Sequence, residues 1–286
     1  MRRGVALVTG ASRGLGLATA VALVRRGFRV LATMRNPARA EALREAVARH
    51  HFDPDDRRSL QVLRLDVDDA EATAEFSERM LVEHGAVDVL VNNAGIMAEG
   101  FAEEFDEAEL RRLFETNFFA ATRLTRAFVP AMRERRRGWV INVSSIGGRF
   151  AVPSHAGYHA SKFALEGWSE ALRYELRPFN VFVTLVEPGV FDTEIFGTSL
   201  RRVGDGANGR GPYARLAQQL RTASDRVRRR WAGVPSEVGE RIASIAVTPK
   251  PRLRYPVGLD AWASHAAGSG MVTRLWERTV SQWSKG

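Results

Sequence analysis

Cysteine is absent from this 286-residue chain, lysine occurs only three times, and no apolar run approaches the roughly 20 residues of a membrane-spanning helix. Without cysteine there is no disulfide framework and no thiolate metal centre, which suits a reducing compartment. We therefore expect a cytoplasmic protein without a membrane span.

Negative charge is in deficit, since the formal net charge is +9. The basic runs 135–137 and 228–230 would suit a nucleic-acid surface. However, the arginines are spread among 33 acidic residues, and no groove-reading helix or aromatic stacking platform is recognisable. We expect no specific nucleic-acid partner. We expect no metal either, because His155 and His159 have the spacing of a zinc pair but lack a third ligand, which favours surface histidines.

Strand-like apolar runs alternate with helical stretches along the whole chain. The strand-like runs are 5–9, 28–34, 60–65, 87–91, 139–143, 180–186 and 252–257. Such alternation predicts an α/β fold, a doubly wound parallel sheet of about seven strands with helices on both faces. No repeat or linker interrupts the pattern, so we expect residues 1–286 to form a single domain.

Three glycines, Gly10, Gly14 and Gly16, lie between the first strand-like run and a helical run that starts at Leu17. In a strand–turn–helix unit, backbone N–H groups at the helix N-terminus bind a pyrophosphate, and glycine permits its close approach. The spacing differs from the commoner G-x-G-x-x-G fingerprint, and many strand-to-helix turns carry glycine. The turn alone leaves nucleotide binding and a structural role open.

Tyr158 and Lys162, one helical turn apart, are the most informative pair in the sequence. A phenol and an ammonium at i and i+4 lie side by side on a helix, which can make the phenol a proton donor near neutral pH. Lys162 stands among apolar residues in a chain that otherwise uses arginine for positive charge, and a lysine there is unfavourable without partners. The alternative is a chance pattern in which the lysine extends to solvent.

Two asparagine features fit the same kind of site. The fourth strand-like run ends in Asn92-Asn93-Ala94-Gly95, where such a strand would meet a nucleotide. Asn117 lies on the apolar face of a continuous helical pattern from Leu110 to Phe128. Because a buried amide requires partners, Asn117 is either part of the site or a core asparagine bonded to a neighbouring backbone.

Together these motifs resemble the short-chain dehydrogenase/reductase superfamily, in its common rather than its extended branch. The match runs from residue 4 to about 195 and consists of TGASRGLG, NNAG, Asn117, Ser145, YHASK and Pro188-Gly189. The segment 145–176 further resembles the subgroup of estradiol 17β-dehydrogenases and retinol dehydrogenases. The resemblance implies a Rossmann-like fold and an oxidoreductase that transfers a hydride between a nicotinamide dinucleotide and a carbonyl or secondary alcohol.

The resemblance also implies roles for individual residues. Tyr158 would be the general acid or base, Lys162 would lower its pKa and bind the nicotinamide ribose, Ser145 would orient the substrate oxygen, and Asn117 would hold a water. Ser144 competes with Ser145, and the family's serine-to-tyrosine spacing selects Ser145. The cofactor-binding residues carried over are Gly10, Ser12, Arg13, Gly14, Leu15, Gly16, Arg35, Asp66, Val67, Asn93, Ala94, Gly95, Tyr158, Lys162, Pro188, Gly189, Val190 and Thr193.

The end of the second strand-like run indicates which dinucleotide binds. An acidic residue there would bind the ribose hydroxyls of NAD, whereas arginine accommodates the 2′-phosphate of NADP. The chain has Thr33-Met34-Arg35-Asn36, and Arg13 adds a second guanidinium. We predict NADP rather than NAD, with reduction as the usual direction. The alternative is that an arginine-rich chain places arginine in any exposed turn.

Residues 190–234 are expected to form a lid over the substrate, and the extension 258–286 to contain an amphipathic helix at 272–283. The two long helices at about 106–135 and 154–178 would, by the resemblance, pair in a homodimer or homotetramer. Apolar residues predict a pocket for a bulky apolar carbonyl compound or alcohol, unless half of them only hold the lid on the body. They are Ile96, Met97, Phe101, Ile146, Phe150, Val152, Phe191, Ile195, Phe196, Leu200, Tyr213, Leu216, Leu220 and Trp231.

Two other functions compete with this one. A binding protein that senses the dinucleotide without turnover would have the same fold, although the intact set of Asn117, Ser145, Tyr158 and Lys162 argues against it. An epimerase or dehydratase acting on sugar nucleotides would require the extended branch's glycine spacing and a larger C-terminal domain.

Overall fold

The computed structural model describes residues 3–52, 59–193 and 200–268, together with residues 270, 271, 274, 277 and 278. The strands in these ranges are β1 (Val5–Val8), β2 (Arg29–Met34), β3 (Leu60–Arg64), β4 (Val89–Asn92), β5 (Ala98–Glu99), β6 (Gly138–Val143), β7 (Val181–Pro188), β8 (Arg201–Arg202) and β9 (Arg254–Val257). Seven of them form one sheet in the order β3-β2-β1-β4-β6-β7-β9, and every neighbouring pair is parallel. The predicted α/β class and all seven predicted runs are confirmed.

Helices follow most of these strands. They are α1 (Gly14–Arg25), α2 (Glu41–Ala48), α3 (Ala70–His84), α4 (Glu107–Phe114), α5 (Ala120–Glu134), α6 (Ala156–Leu176), α7 (Gly204–Ala207), α8 (Ala214–Trp231), α9 (Pro235–Ile245) and α10 (Leu259–Ala267). The predicted helix at 272–283 falls mostly on residues outside the described ones.

Alternation of side chains along β1 explains why helices cover both faces of the sheet. Ala6 and Val8 belong to the core formed with α1, α2 and α9, whereas Leu7 belongs to the core formed with α3, α5 and α6. Successive side chains of a strand point to opposite faces, so both faces of a buried parallel strand must be apolar. The sheet therefore has two cores, one on each side.

The strand order reverses at β1, which pairs with β2 on one side and with β4 on the other. The chain crosses from the β3 edge to the opposite half between β3 and β4. In open α/β sheets, ligands bind outside the carboxyl ends of the strands at such a switch point. The turns after β1 and β4 are therefore where the fold offers a ligand site.

The predicted helix 110–128 is not one regular helix. A π-helical turn at Glu115–Phe119 separates α4 from α5, and Asn117 lies within it. Apolar periodicity does not reveal a single π turn, because the α-helical spacing of apolar residues continues on either side of it. None of the helices in the described ranges has both the length and the apolar character of a membrane-spanning segment.

Candidate active site

The glycine turn after β1 has the backbone that the sequence predicted. Gly10 and Gly14 have φ angles of +67° and +54°, a region that favours glycine. A Cβ atom on Gly16 would collide with the carbonyl oxygen of Gly10, so α1 can pack against its own turn only with glycine there. No side chain caps the N-terminus of α1, whose first N–H groups can therefore bind an anion such as a phosphate. Ser12 and Leu15 are half-buried in this turn.

The segment after β4 is fastened to that turn. The Thr9 hydroxyl accepts the N–H groups of Asn93, at 2.9 Å, and of Ala94, at 3.0 Å. The Asn93 amide donates in return to the Thr9 carbonyl, at 2.8 Å. Asn93 therefore has a structural role that the sequence did not reveal, since its side chain joins the ends of β1 and β4.

The residues expected at the adenosine end lie along the ends of β2 and β3. The Ala11 N–H donates to the Thr33 carbonyl at 2.9 Å, which holds the glycine turn against the end of β2. Arg13 and Arg35 are both exposed on this side. Beyond β3, Asp66 is half-buried, whereas Val67 packs in the core and can offer a ligand little besides its backbone.

Tyr158 and Lys162 lie together on α6 and are both buried, at 9% and 5% exposure. The Lys162 Nζ lies 5.9 Å from the centre of the Tyr158 ring and donates a 2.9 Å hydrogen bond to the carbonyl of Val143, the last residue of β6. The lysine does not extend to solvent, so the chance-pattern alternative does not describe this pair.

Ser145 follows directly after β6 and lies beside the tyrosine. Its hydroxyl accepts the Gly147 N–H at 3.0 Å and is hydrogen-bonded to Tyr158. Ser144 faces the opposite way, toward Glu166. The structure thus brings Ser145, and not Ser144, to the phenol.

Burial dominates the protonation equilibria of this pair. Burial raises the pKa of Tyr158, and the hydrogen bond with Ser145 acts in the opposite direction. Burial also lowers the pKa of Lys162 to about 8, against the opposing effect of Glu166. The expected lowering of the Tyr158 pKa by Lys162 is not seen, because burial raises that pKa and the ammonium is directed at the Val143 carbonyl.

Asn117 occupies the position between the segment after β4 and α6. Its Oδ1 accepts the Ile96 N–H at 2.8 Å, and its Nδ2 donates to the Ile96 carbonyl at 3.0 Å and to the Ser161 hydroxyl at 2.9 Å. A Cβ atom on Gly95 would lie 3.3 Å from Asn117 Oδ1 and 3.7 Å from Lys162 Nζ. Both sequence interpretations therefore apply, since Asn117 is a satisfied buried asparagine that also borders the lysine.

The loop after β7 returns toward the glycine turn. The Gly189 N–H donates to the Val257 carbonyl at 2.9 Å, and a Cβ atom on Gly14 would lie 3.4 Å from the methyl carbon of Thr193. The Val190 N–H donates to Asp260 Oδ2 at 2.7 Å. Asp260 lies on α10, far along the chain, and no local pattern could have marked it as the residue that holds this loop.

His159 is not a surface histidine, and that expectation was wrong. Only 7% of the residue is exposed. Its Nδ1 lies 2.8 Å from the Gly147 carbonyl, and its Nε2 accepts the Val152 N–H at 3.1 Å. Such partners require a neutral imidazole with the proton on Nδ1. Burial lowers the pKa of His159 to about 4, which keeps this form, and the ring fastens the Ser145 loop to α6.

Two buried carboxylates share Arg254 as a partner, and one of them, Glu166, lies one helical turn beyond Lys162. Glu166 and Glu187 are 4% and 1% exposed, and Arg254 Nε contacts them at 2.9 and 3.3 Å. Burial, followed by the neighbouring Glu166, raises the pKa of Glu187 to about 7. The spacing Tyr158, Lys162, Glu166 was a signal for the first of these carboxylates, but nothing local signalled Glu187.

Some of the residues predicted to line a pocket are packed between the lid and the body, and others are exposed. Tyr213 stacks on Phe101 with ring centres 4.1 Å apart, and Leu216 and Leu220 pack around Phe101 in the same small core. Phe191 is 2% exposed, whereas Trp231 is 42% exposed. Part of the set therefore holds the lid on the body, as the alternative interpretation proposed. Ile195 and Phe196 lie outside the described residues.

Across the ranges that the structure describes, no three ligand-type side chains converge in a way that could hold a metal ion.

Comparison with known proteins gives the family. The short chain dehydrogenase family matches residues 4–203. The chain is 37% identical to the uncharacterized oxidoreductase YusZ of Bacillus subtilis over 289 residues, which cover 99% of this chain and 96% of the relative. It is also 37% identical to human 17-beta-hydroxysteroid dehydrogenase type 1 over 262 residues, covering 89% of this chain and 77% of the relative.

Solved structures agree with the sequence relatives. A short-chain dehydrogenase from Streptomyces avermitilis superposes with a TM-score of 0.80 at 36% identity, covering 99% of this chain and 97% of that one. A metagenomic short-chain oxidoreductase in complex with NADP has a TM-score of 0.69 at 28% identity, covering 90% of this chain and 97% of that one. With its fold, its motifs and these matches in agreement, the chain belongs to the short chain dehydrogenase family.

Proposed function

We propose that this protein is an NADP(H)-dependent oxidoreductase that interconverts a ketone or aldehyde with the corresponding alcohol. The observation that carries the proposal is the buried arrangement of Tyr158, Lys162 and Ser145. A buried phenol hydrogen-bonded to a serine, with an ammonium at its ring, has few structural reasons to exist. General acid–base catalysis requires such a group close to the reacting oxygen.

In the proposed reaction the bound nicotinamide supplies or accepts the hydride. Ser145 orients the substrate oxygen by a hydrogen bond, and Tyr158 gives its hydroxyl proton to that oxygen during reduction or takes it back during oxidation. A positive charge at Lys162 favours the phenolate that reduction leaves behind. Asn117 keeps Gly95 and α6 at a fixed separation, so that the lysine stays beside the phenol.

The residues present fit a dinucleotide. The turn of Gly10, Gly14 and Gly16 leaves the α1 N-terminus open to a pyrophosphate, and the Thr193 side chain lies against Gly14. At the end of β2 no acidic residue is available for a ribose, and Arg13 and Arg35 are exposed. A 2′-phosphate would find guanidinium partners there, and the relative solved with NADP agrees with this choice.

Calorimetry with NADPH and NADH in parallel tests the cofactor. We expect NADPH to bind more tightly, and Arg35→Ala to reduce that preference by about tenfold or more because a charge-assisted phosphate contact contributes roughly 1.5–3 kcal/mol. A wild-type preference for NADH contradicts the assignment.

The proposed substrate is bulky and apolar. Ile146 and Phe150 are half-buried on the loop after Ser145, and the 17-beta-hydroxysteroid dehydrogenase relative carries a steroid in its name. We also propose the single-domain organisation, a cytoplasmic location and a homodimer or homotetramer. Exposed Phe119 and Phe163, at 46% each, lie on the two long helices expected to pair.

Turnover of a ketone panel with NADPH, comparing the wild type with Tyr158→Phe, tests the reaction. We expect the variant to bind NADPH normally and to lose about 10²–10⁴-fold in kcat, the usual contribution of a general acid. Equal activity in both proteins removes Tyr158 from its role. Nucleotide binding without turnover of any ketone or alcohol supports the alternative, a dinucleotide-sensing binding protein.

A further inference from the structure

Among the residues that the structure describes, the second half of α8 carries an apolar stripe that is only partly covered. In the first half, Ala217 and Leu220 are buried against Phe101. The same helical face continues seven and eleven residues beyond Leu220, at Val227 and Trp231, which are 41% and 42% exposed. The stripe thus extends beyond the body of the protein.

Three more exposed apolar side chains lie at the same end of the molecule. Val234, Leu259 and Trp262 are 55%, 71% and 68% exposed. A Cβ atom on Gly233 would lie 2.6 Å from the Phe191 ring and one on Gly258 would lie 3.5 Å from it. Val234 and Leu259 therefore each follow a glycine that lies against the same ring. We call Val227, Trp231, Val234, Leu259 and Trp262 the apolar patch.

Positive charge surrounds the α8 part of this patch. Arg226, Arg228, Arg229 and Arg230 are exposed on the same turns, against two nearby acidic residues: Asp225, which pairs with Arg228 at 3.3 Å, and Glu237, whose carboxylate lies beside Gly233. The Arg230 guanidinium lies 5.6 Å from the centre of the Trp231 ring. Tryptophan, aliphatic side chains and arginine on one helix end are the combination that binds at a lipid headgroup boundary.

We propose that the apolar patch, with the arginines of α8, docks this protein on an anionic phospholipid surface. The positive charge of the α8 arginines distinguishes between the possible binding partners of the patch. A second copy of the chain would bring the same arginines to the contact. The chain's own segment 269–286 is predicted to contain an amphipathic helix, but it carries Arg274, Arg278 and Lys285 against a single Glu277, so it would bring further positive charge to the arginines of α8. A nucleic acid would match the charge but not the five exposed apolar side chains.

This docking does not depend on the proposed reaction, but the two are compatible. Gly233 and Gly258, which precede Val234 and Leu259, lie against Phe191, so this part of the patch is next to the loop from Pro188 to Thr193, which is expected to border the nicotinamide. A bulky apolar substrate partitions into lipid. Docking through the apolar patch would place the proposed substrate cleft at the lipid surface, which such a substrate leaves to enter the protein.

The test is sedimentation of the full chain with vesicles of phosphatidylcholine alone and with about one third phosphatidylglycerol, at low and high salt. We expect binding to the anionic vesicles that weakens at high salt. The triple variant Arg228→Gln, Arg229→Gln, Arg230→Gln should lose about 100-fold in affinity, from about 1 kcal/mol per arginine near the surface. The double variant Leu259→Ser, Trp262→Ser should lose at least tenfold.

The matched control is Val82→Ser, which removes a valine that is 81% exposed on α3 and should leave vesicle binding unchanged. All variants should keep the wild-type midpoint of unfolding in urea, which separates lost docking from lost folding. Equal binding to both vesicle types, or none, overturns the proposal. So does a change of oligomeric state in the double variant, or binding to duplex DNA without binding to vesicles.

Discussion

The wall of the site and the lid are held in place by different interactions. The wall, formed by β6 and α6, positions its polar groups through buried hydrogen bonds to the backbone, such as Lys162 to Val143 and His159 to Gly147. The lid, formed by β8, α7 and α8, is fastened to the body by ion pairs. Its arginines are half-exposed, and only their carboxylate partners on the body are buried.

Besides the small apolar core around Phe101, two buried glutamates attach the lid by ion pairs. Glu99 on β5 contacts Arg202 at 3.3 Å and Arg221 at 3.2 Å. Glu109 on α4 contacts Arg201 at 3.3 Å. The short parallel pairing of β5 with β8 aligns these groups. A backbone hydrogen bond fixes one geometry, whereas an ion pair at a surface tolerates several. The wall therefore holds its groups in one geometry, whereas the ion pairs of the lid allow several.

Removing the Lys162 ammonium should cause the largest loss of activity among the changes in the wall. We expect Lys162→Met to reduce kcat by about 10²–10⁴-fold with little change in folding, and Lys162→Arg to restore only part of it, because a guanidinium does not replace a compact ammonium. Steady-state kinetics measures the loss, and Lys250→Met serves as control. A fully active arginine variant would contradict the need for a compact charge at Val143.

His159 should affect catalysis by holding the Ser145 loop against α6, without contacting the reacting atoms. His159→Phe leaves the Gly147 carbonyl and the Val152 N–H without partners, so we expect about 1–3 kcal/mol lower stability and a roughly tenfold lower kcat at unchanged NADPH affinity. His159→Gln can donate and accept in the same places and should recover part of both. Chemical unfolding and kinetics on the pair check this. Equal kcat in wild type and His159→Phe would remove the positioning role.

The carboxylate pair beneath the wall should make stability depend on pH. The raised pKa of Glu187, about 7, means that the folded protein favours the protonated carboxyl. The free energy of unfolding is therefore highest below the ordinary pKa of a glutamate. It falls by up to about 3 kcal/mol as the pH rises through about 7. Glu187→Gln should remove this decline, as seen in urea midpoints between pH 5 and pH 8.

Glu170→Gln is the control for that titration. Its partner Arg254 holds the pKa of Glu170 below the ordinary range, so the residue does not titrate there. A wild-type midpoint that stays level across the range, or the same decline in Glu187→Gln, would contradict the assignment to Glu187.

The smallest expected effect concerns the lid. Glu99→Gln weakens its contacts with Arg202 and Arg221, so we expect KM for a bulky ketone to rise about threefold while kcat for a small ketone stays constant. Glu107→Gln removes an ion pair whose partners are more than three-quarters exposed and should change neither value. A large fall in kcat for both ketones in Glu99→Gln would show that lid and wall are not independent.

The sheet could be predicted from the sequence because its strands are short apolar runs bounded by turn residues. All seven runs appear as strands of one parallel sheet. The glycine turn could also be predicted, because backbone positions with positive φ angles favour glycine. The π turn around Asn117 could not be predicted, because it is a single turn between two stretches of regular α-helical periodicity.

Side-chain roles that depend on distant partners could not be predicted either. The sequence showed two histidines four residues apart, and only the path of the loop from Ser144 to Val152 shows that one of them is enclosed. Glu187 and Arg254 meet because β7 and β9 are neighbours, and Asp260 reaches Val190 from α10. No spacing along the chain encodes such encounters.

The sequence by itself determined the family, the parallel sheet and the set of residues that can move a proton and bind a dinucleotide, because each follows from local pattern and residue chemistry. Only the tertiary structure decided which serine meets the phenol, where Lys162 directs its ammonium, and which apolar side chains of the lid are packed or exposed. These depend on contacts between elements far apart in the chain, and burial at those contacts sets the protonation of the groups involved.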